Sequence, residues 1–328
     1  MRKKILAVLS AWSLVAVAPG AASAADDVSL RLDFYAHASH PALAYGIEKG
    51  IYAKHGINLK LLEGTGSGPT TQLIASGTER FGYADAYTMA KLASKGLPVK
   101  MIASYTQNSV FAIVTFEANN IKSLRDLYGK KVAFTSGDAQ SQLFPALMSA
   151  NKLDMSKVNV VYLAPEAKQS ALIVGSVDAM GGSYADQAGV IQKEAKRKVT
   201  YLRYADLGAN TLSFGLIIHT KHMGDRSLNC RMAAATSEAF AAATKDQQVA
   251  SDALLKMFPR LNKGDRALTL EQWGQYSELV HTENTKNQKP GYMSEKDWAA
   301  LVDLGTKYGE FAPKPASDYY TNEFVNCK

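Results

Sequence analysis

Two stretches of this chain, residues 28–105 and 130–204, each run through strand, small-residue turn, helix and strand again. That repeated order limits the fold more than any other feature, because strands alternating with helices at this spacing argue for α/β domains with largely parallel sheets. In the first unit, residues 28–35 (VSLRLDFY) alternate apolar and polar side chains as a strand does. Residues 57–62 form a second strand and lead into LLEGTGSGPTTQLIASG, residues 61–77. Here Gly66 and Gly68 allow a close bend, and Pro69 suits the first position of a helix. The amides and the hydroxyls of Thr65, Ser67, Thr70 and Thr71 then face whatever sits above the strand end, and a helix N-terminus suits an acceptor-rich molecule. A tight strand-to-helix turn without a ligand explains the same residues. The motif is not a dinucleotide fingerprint, because Pro69 stands where the last glycine would fall, and it lacks the Gly-Lys-Ser/Thr of a P-loop.

The first 24 residues differ from the rest. Arg2, Lys3 and Lys4 precede an apolar run closed by Ala22-Ser23-Ala24, the order of a secretory signal peptide cleaved after Ala24. An uncleaved anchor is the rival reading, but the run is short and broken by Ser10, Ser13 and Pro19. Removal of the signal leaves 34 basic and 30 acidic residues, a net charge of +4. No basic stripe interleaved with aromatics is present, which argues against nucleic acid as a partner. The two cysteines, Cys230 and Cys327, lie in the exported part. An even pair in an oxidising compartment usually forms a bridge, and two free buried thiols are the alternative. Past residue 230 the pattern is helical over 231–245, 246–258, 270–283 and 294–308, and Thr269 with Gln272 and Ser294 with Asp297 read as capping boxes.

The segments ALAYGIEKGIYAKHGINLKLLEGTGSGPTTQLIASG, FGYADAYTMAKL, SLRDLYGKKVAFTSG and ALIVGSVDAM, in this order, resemble the periplasmic solute-binding proteins of ABC importers. The branch is the NMT1/THI5-like group, which handles nitrate, sulfonates, taurine and thiamine-pyrimidine precursors. The resemblance implies a type II-like periplasmic binding protein fold of two α/β lobes, with the helical C-terminal tail packed on lobe one. After the signal (1–24), lobe one is expected to take residues 25–112 and 213–328, and lobe two residues 113–212. The crossovers are expected near 107–115 and 209–214. It also implies a periplasmic monomer that closes on a small solute and meets a membrane ABC permease transiently.

In open α/β sheets, ligands collect beyond the carboxyl ends of the strands. That rule nominates Tyr35, His37 and His40; Gly66, Ser67 and Thr70; Asp85 and Tyr87; Tyr105 and Gln107. From the second unit it nominates Ser136, Asp138, Gln140 and Ser141, then Ser183, Tyr184 and Asp186, with Asn210 near the hinge. Asp85 and Ser136 also read as plain helix caps, and the tyrosines as ordinary core or rim aromatics. These loops carry no Lys or Arg, whereas Asp85, Asp138 and Asp186 are acidic. Tyrosines with carboxylates suit a flat nitrogen heterocycle or an amine-bearing ligand, so the reading leans to a pyrimidine-like or amino-sulfonate solute. His37 and His40, three apart without a Cys/Glu cluster, are weak grounds for a metal, and no cofactor is expected. Pyrimidine-synthesis enzymes share the fold, but they carry a cysteine-rich motif that this chain lacks; a ligand sensor is the third reading. The exported protein is expected to begin at Ala25, which intact mass of the secreted chain checks.

Overall fold

Every second residue of the first two strands turns inward, as a half-buried sheet requires. These are Val28 and Leu30 in β1 (Asp26–Arg31), and Ile57, Leu59 and Leu61 in β2 (Ile57–Leu62). The computed structural model describes residues 25–309 and 311–327, so the signal segment expected over 1–24 lies outside the described residues. Helices α1 (Pro41–Glu48) and α2 (Ile51–Lys54) carry the chain back, which lets β1 and β2 pair in parallel. Then follow α3 (Ser67–Ala75), β3 (Phe81–Asp85), α4 (Ala86–Ser94) and β4 (Val99–Ser104).

A second sheet is built from β5 (Phe111–Phe116), β6 (Lys131–Phe134), β7 (Asn159–Tyr162), β8 (Ala179–Ser183) and β9 (Val199–Arg203). Its helices are α5 (Ala139–Ala150), α6 (Pro165–Ile173) and α7 (Gln187–Ala195). β10 (Phe214–His219) returns to the first sheet. The strand orders are β2-β1-β3-β10-β4 and β7-β6-β8-β5-β9. Both sheets are mixed rather than largely parallel. β5 and β10 each run antiparallel to both neighbours. Each enters its sheet from the other one, through residues 105–110 and 204–213, and so starts at the shared cleft and runs away from it.

The tail consists of α8 (Arg226–Ala243), α9 (Gln247–Met257), α10 (Arg266–Ser277) and α11 (Glu295–Tyr308). α8 and α9 pack on α1, while α11 lies against α4 and also reaches α5 of the second sheet. No helix among the described residues is long and apolar enough to cross a membrane.

Three local expectations are corrected. The strand expected over 28–35 ends at Arg31, because the residues after it bend into the cleft. α3 begins at Ser67, so Pro69 is its third residue rather than its first. α10 begins at Arg266 with Asp265 as its cap, accepting from the Leu268 amide, so Thr269 sits inside the helix and caps nothing. Thr269 and Gln272 instead hold the side-chain amide of Asn262 at 2.9 and 2.7 Å. The second expected box is half formed: Ser294 caps α11, accepting from the Lys296 amide, while the Asp297 carboxylate accepts from the Thr282 hydroxyl and the Asn284 side-chain amide instead.

Cys230 and Cys327 are joined in a disulfide with Cα atoms 5.8 Å apart, closing a span of 97 residues onto α8. Replacing both by Ser is expected to lower unfolding free energy by up to about 4 kcal/mol, through the freedom returned to the unfolded chain. Denaturant unfolding of the double variant against the oxidised parent checks this.

Candidate functional site

A cleft of about 680 Å³ opens between the strand ends of the two sheets, with further walls from α10 and the 257–263 segment of the tail. Its floor on the first side is made where β1 ends. Asp33 is buried there, 2.9 Å from His40 Nε2 and 3.3 Å from His37 Nε2. His37 Nδ1 lies 3.2 Å from Asp186 Oδ2, which belongs to the end of the second sheet. Burial works against charge on His37, but the Asp33 and Asp186 carboxylates outweigh it and push its pKa up to about 10. Burial likewise opposes ionisation of Asp33, and the two histidines overcome that, holding it well below the usual carboxylate range. Burial and the charge on His37 push His40 down to about 4, so it is neutral at pH 7. His40 Nδ1 accepts from the His37 amide at 3.1 Å, which leaves Nε2 as the protonated nitrogen that donates to Asp33. Asp33, His37 and His40 bring atoms of metal-ligand type within 4.8 Å of one another, and each ring nitrogen already faces a protein partner.

The second side is built alike. Asp138 caps α5, accepting from the Ser141 amide at 2.8 Å and the Thr135 amide at 3.0 Å, and it binds Lys168 Nζ at 2.8 Å. Asp186 accepts from the Tyr276 hydroxyl at 2.9 Å, and its own backbone carbonyl accepts from Gln272 at 2.8 Å. Ser183 Oγ lies 3.3 Å from the same Tyr276 hydroxyl. Both glutamine and tyrosine come from α10, so the tail closes this end of the cleft.

The two sides touch. The Gly68 amide donates to the Gly137 carbonyl at 3.0 Å, Tyr35 donates to Glu166, and Lys193 pairs with Asp265. A Cβ on Gly68 would stand 2.8 Å from that carbonyl oxygen, too near for the contact to survive. One of the amides expected to face a ligand at the start of α3 is therefore spent on a protein carbonyl.

Compared with known proteins, residues 37–250 match the family described as "NMT1/THI5 like". The chain belongs to the NMT1/THI5-like family. Among relatives of this NMT1/THI5-like chain, a "Putative thiamine biosynthesis protein" of Haemophilus influenzae is 26% identical over 49% of this chain and 51% of its own length. A "Formylaminopyrimidine-binding protein" of Halalkalibacterium halodurans is 24% identical over 56% of each. The chain thus spans about half the length of both. Among solved structures, the alkanesulfonate-binding protein SsuA from Xanthomonas axonopodis pv. citri, bound to MOPS, superposes with a TM-score of 0.68. It is 13% identical and covers 92% of this chain and 100% of its own, which establishes the two-lobed periplasmic binding protein fold.

Of the residues nominated from sequence, Tyr35, His37, Gly66, Ser67, Asp138, Gln140, Ser183 and Asp186 line the cleft of this NMT1/THI5-like chain. The others lie elsewhere. His40 is fully buried behind His37, and the Thr70 hydroxyl is turned onto the Leu32 carbonyl at 2.8 Å. Asp85 caps α4 from within the core, and Tyr87 packs on Phe311. Tyr105 stacks on Phe240 and donates to the Ala233 carbonyl. Gln107 ties the crossing to the tail through the Tyr292 carbonyl at 2.7 Å and Thr285 at 2.6 Å. Ser136 is exposed off the cleft, and Tyr184 stacks on Tyr201 beneath the Arg203 guanidinium. Asn210 accepts from the Ser109 amide across the two crossings.

The expectation of a cleft without Lys or Arg is also corrected, because Lys168, Arg260 and Lys263 line it. Lys168 was within reach of the same rule: it stands in the first turns of α6, right after β7. Asp33 was hidden inside the strand expected over 28–35, and it reaches the cleft because β1 stops at Arg31. Tyr276, Gln272 and the 257–263 segment come from the tail, for which strand-end reasoning gives no signal.

Asp85 yields a pH test. Burial pushes its carboxyl up to about 7, against the bonds from Thr88. Folding then takes up a proton between the unfolded value near 4 and about 7, so its contribution to stability declines as pH rises through that window. Asp85→Asn is expected to gain on the parent progressively from pH 4 to pH 7, by up to about 4 kcal/mol, and then hold level. Chemical unfolding of both proteins across pH 4–8 checks the difference.

Proposed function

We propose that this chain is an exported receptor which takes a small nitrogen heterocycle, neutral or cationic, into the cleft and hands it unchanged to a membrane ABC permease. The reading rests on one observation above the others: acidic groups dominate a cleft walled from both sheets. Asp33, Glu63, Asp138, Glu166, Asp186 and Glu194 line it. Against them, the His37 imidazolium is shared by Asp33 and Asp186, Lys168 is paired with Asp138 and Lys263 with Glu194, which sets Arg260 alone against Glu63 and Glu166. Carboxylates accept from ring amino groups, and the rings of Phe34 and Tyr35 offer flat faces to a heterocycle. The relative named for binding formylaminopyrimidine supports the same class, and the leader of the sequence supports export to the periplasm. The two cysteines of the chain are bonded to each other, which favours a receptor over a thiol-dependent enzyme. Opening and closing are proposed to bend the chain at 105–110 and 204–213, with residues before, between and after these crossings moving as two lobes.

A thermal-shift screen followed by calorimetry tests this. An aminopyrimidine is expected to raise the melting temperature with one site per chain and to be recovered unaltered, whereas nitrate, taurine and alkanesulfonates leave it in place. Preference for a sulfonate, or steady product formation, overturns the proposal. Asp186→Ala is expected to weaken aminopyrimidine binding by about tenfold or more, since it removes a charged acceptor at the floor.

A further inference from the structure

Lys168 is a cation at the bottom of an acidic cleft, and its surroundings give it an uncommon chemical character. Its side chain is 1% exposed and that of Asp138 3%, with Nζ and Oδ2 2.8 Å apart. The carboxylate is satisfied at both oxygens, Oδ1 by the Ser141 amide and Oδ2 by the lysine and the Thr135 amide. The ammonium is not. It has three N–H groups to give and makes this one hydrogen bond among the described residues. The ring of Phe34, from the other side of the cleft, stands with its centroid 5.9 Å from Nζ.

Resting on the reading of this cleft as a ligand site, we propose that Asp138 is its specificity-determining residue. With its charge cancelled, Lys168 presents donors to a neutral acceptor, such as a ring nitrogen or carbonyl, without presenting net positive charge. An oxyanion seated against Nζ would also stand beside the Asp138 carboxylate, in a place where water cannot screen the repulsion. The start of α3 offers an oxyanion one donor fewer, because the Gly68 amide is engaged by Gly137. Removing the charge of Asp138 leaves a buried ammonium that needs a counter-ion, and the cleft becomes an oxyanion site.

Asp138→Asn tests this, since asparagine caps a helix as well as aspartate does. Ethanesulfonate and 4-amino-5-hydroxymethyl-2-methylpyrimidine are the probes, read by calorimetry and melting temperature. The parent is expected to ignore ethanesulfonate. Asp138→Asn is expected to bind it about tenfold tighter or better and to melt higher in its presence, and adding Lys168→Met is expected to abolish both gains. Should the asparagine variant not fold, Asp138→Ser, which keeps a capping oxygen, replaces it in the same comparison. A folded variant whose ethanesulfonate affinity stays within about twofold of the parent overturns the inference, as does a parent that binds ethanesulfonate through Lys168. A parent that ignores the pyrimidine speaks against the function proposed above and not against this inference, because the sulfonate arms do not use that probe.

Discussion

A carboxylate taken out of water must find a positive partner or give up its charge, and the cleft is organised around that demand at Asp33. Its partner is His37, and His37 in turn faces Asp186, a residue from the opposite sheet. One imidazolium thus answers two acids that the chain keeps about 150 positions apart. The neutral His40 behind it accepts from the His37 amide and donates to Asp33. Asp85 shows the other outcome: it accepts from the Thr88 amide and hydroxyl, and burial raises its pKa.

The same economy governs the backbone. Strands that run towards the cleft deliver their following loops to it, while β5 and β10 start at the cleft and run away, which is why each lies antiparallel to both its neighbours. The crossings between sheets carry a second kind of residue. Gln107 and Asn210 bind main-chain groups across the junction rather than facing the cavity. Polar residues at strand ends therefore divide into those that face the cavity and those that hold the frame. Sequence position alone does not separate the two.

Much of the frame was legible because it follows from local pattern. The alternation in β1 and β2, the helical period of the tail and the two strand-turn-helix units all reflect which side chains must leave water, a demand that each segment states for itself. The cleft was legible only in part. Ser67, Asp138 and Asp186 were found by the strand-end rule, but Thr70 and Tyr105 follow the same rule and turn inward onto backbone carbonyls. In both cases a backbone carbonyl of the frame lies within reach of the hydroxyl.

What the sequence determined by itself is the alternating architecture, the repeated unit and the set of polar groups at the strand ends, because hydrophobic period and turn chemistry are properties of short segments. Only the tertiary structure decided the pairing of Lys168 with Asp138, the meeting of His37 with Asp186, and the closure of the cleft by Tyr276 from α10. Those contacts join segments far apart in the chain, and electrostatic neutrality and hydrogen-bond satisfaction are conditions on neighbours in space.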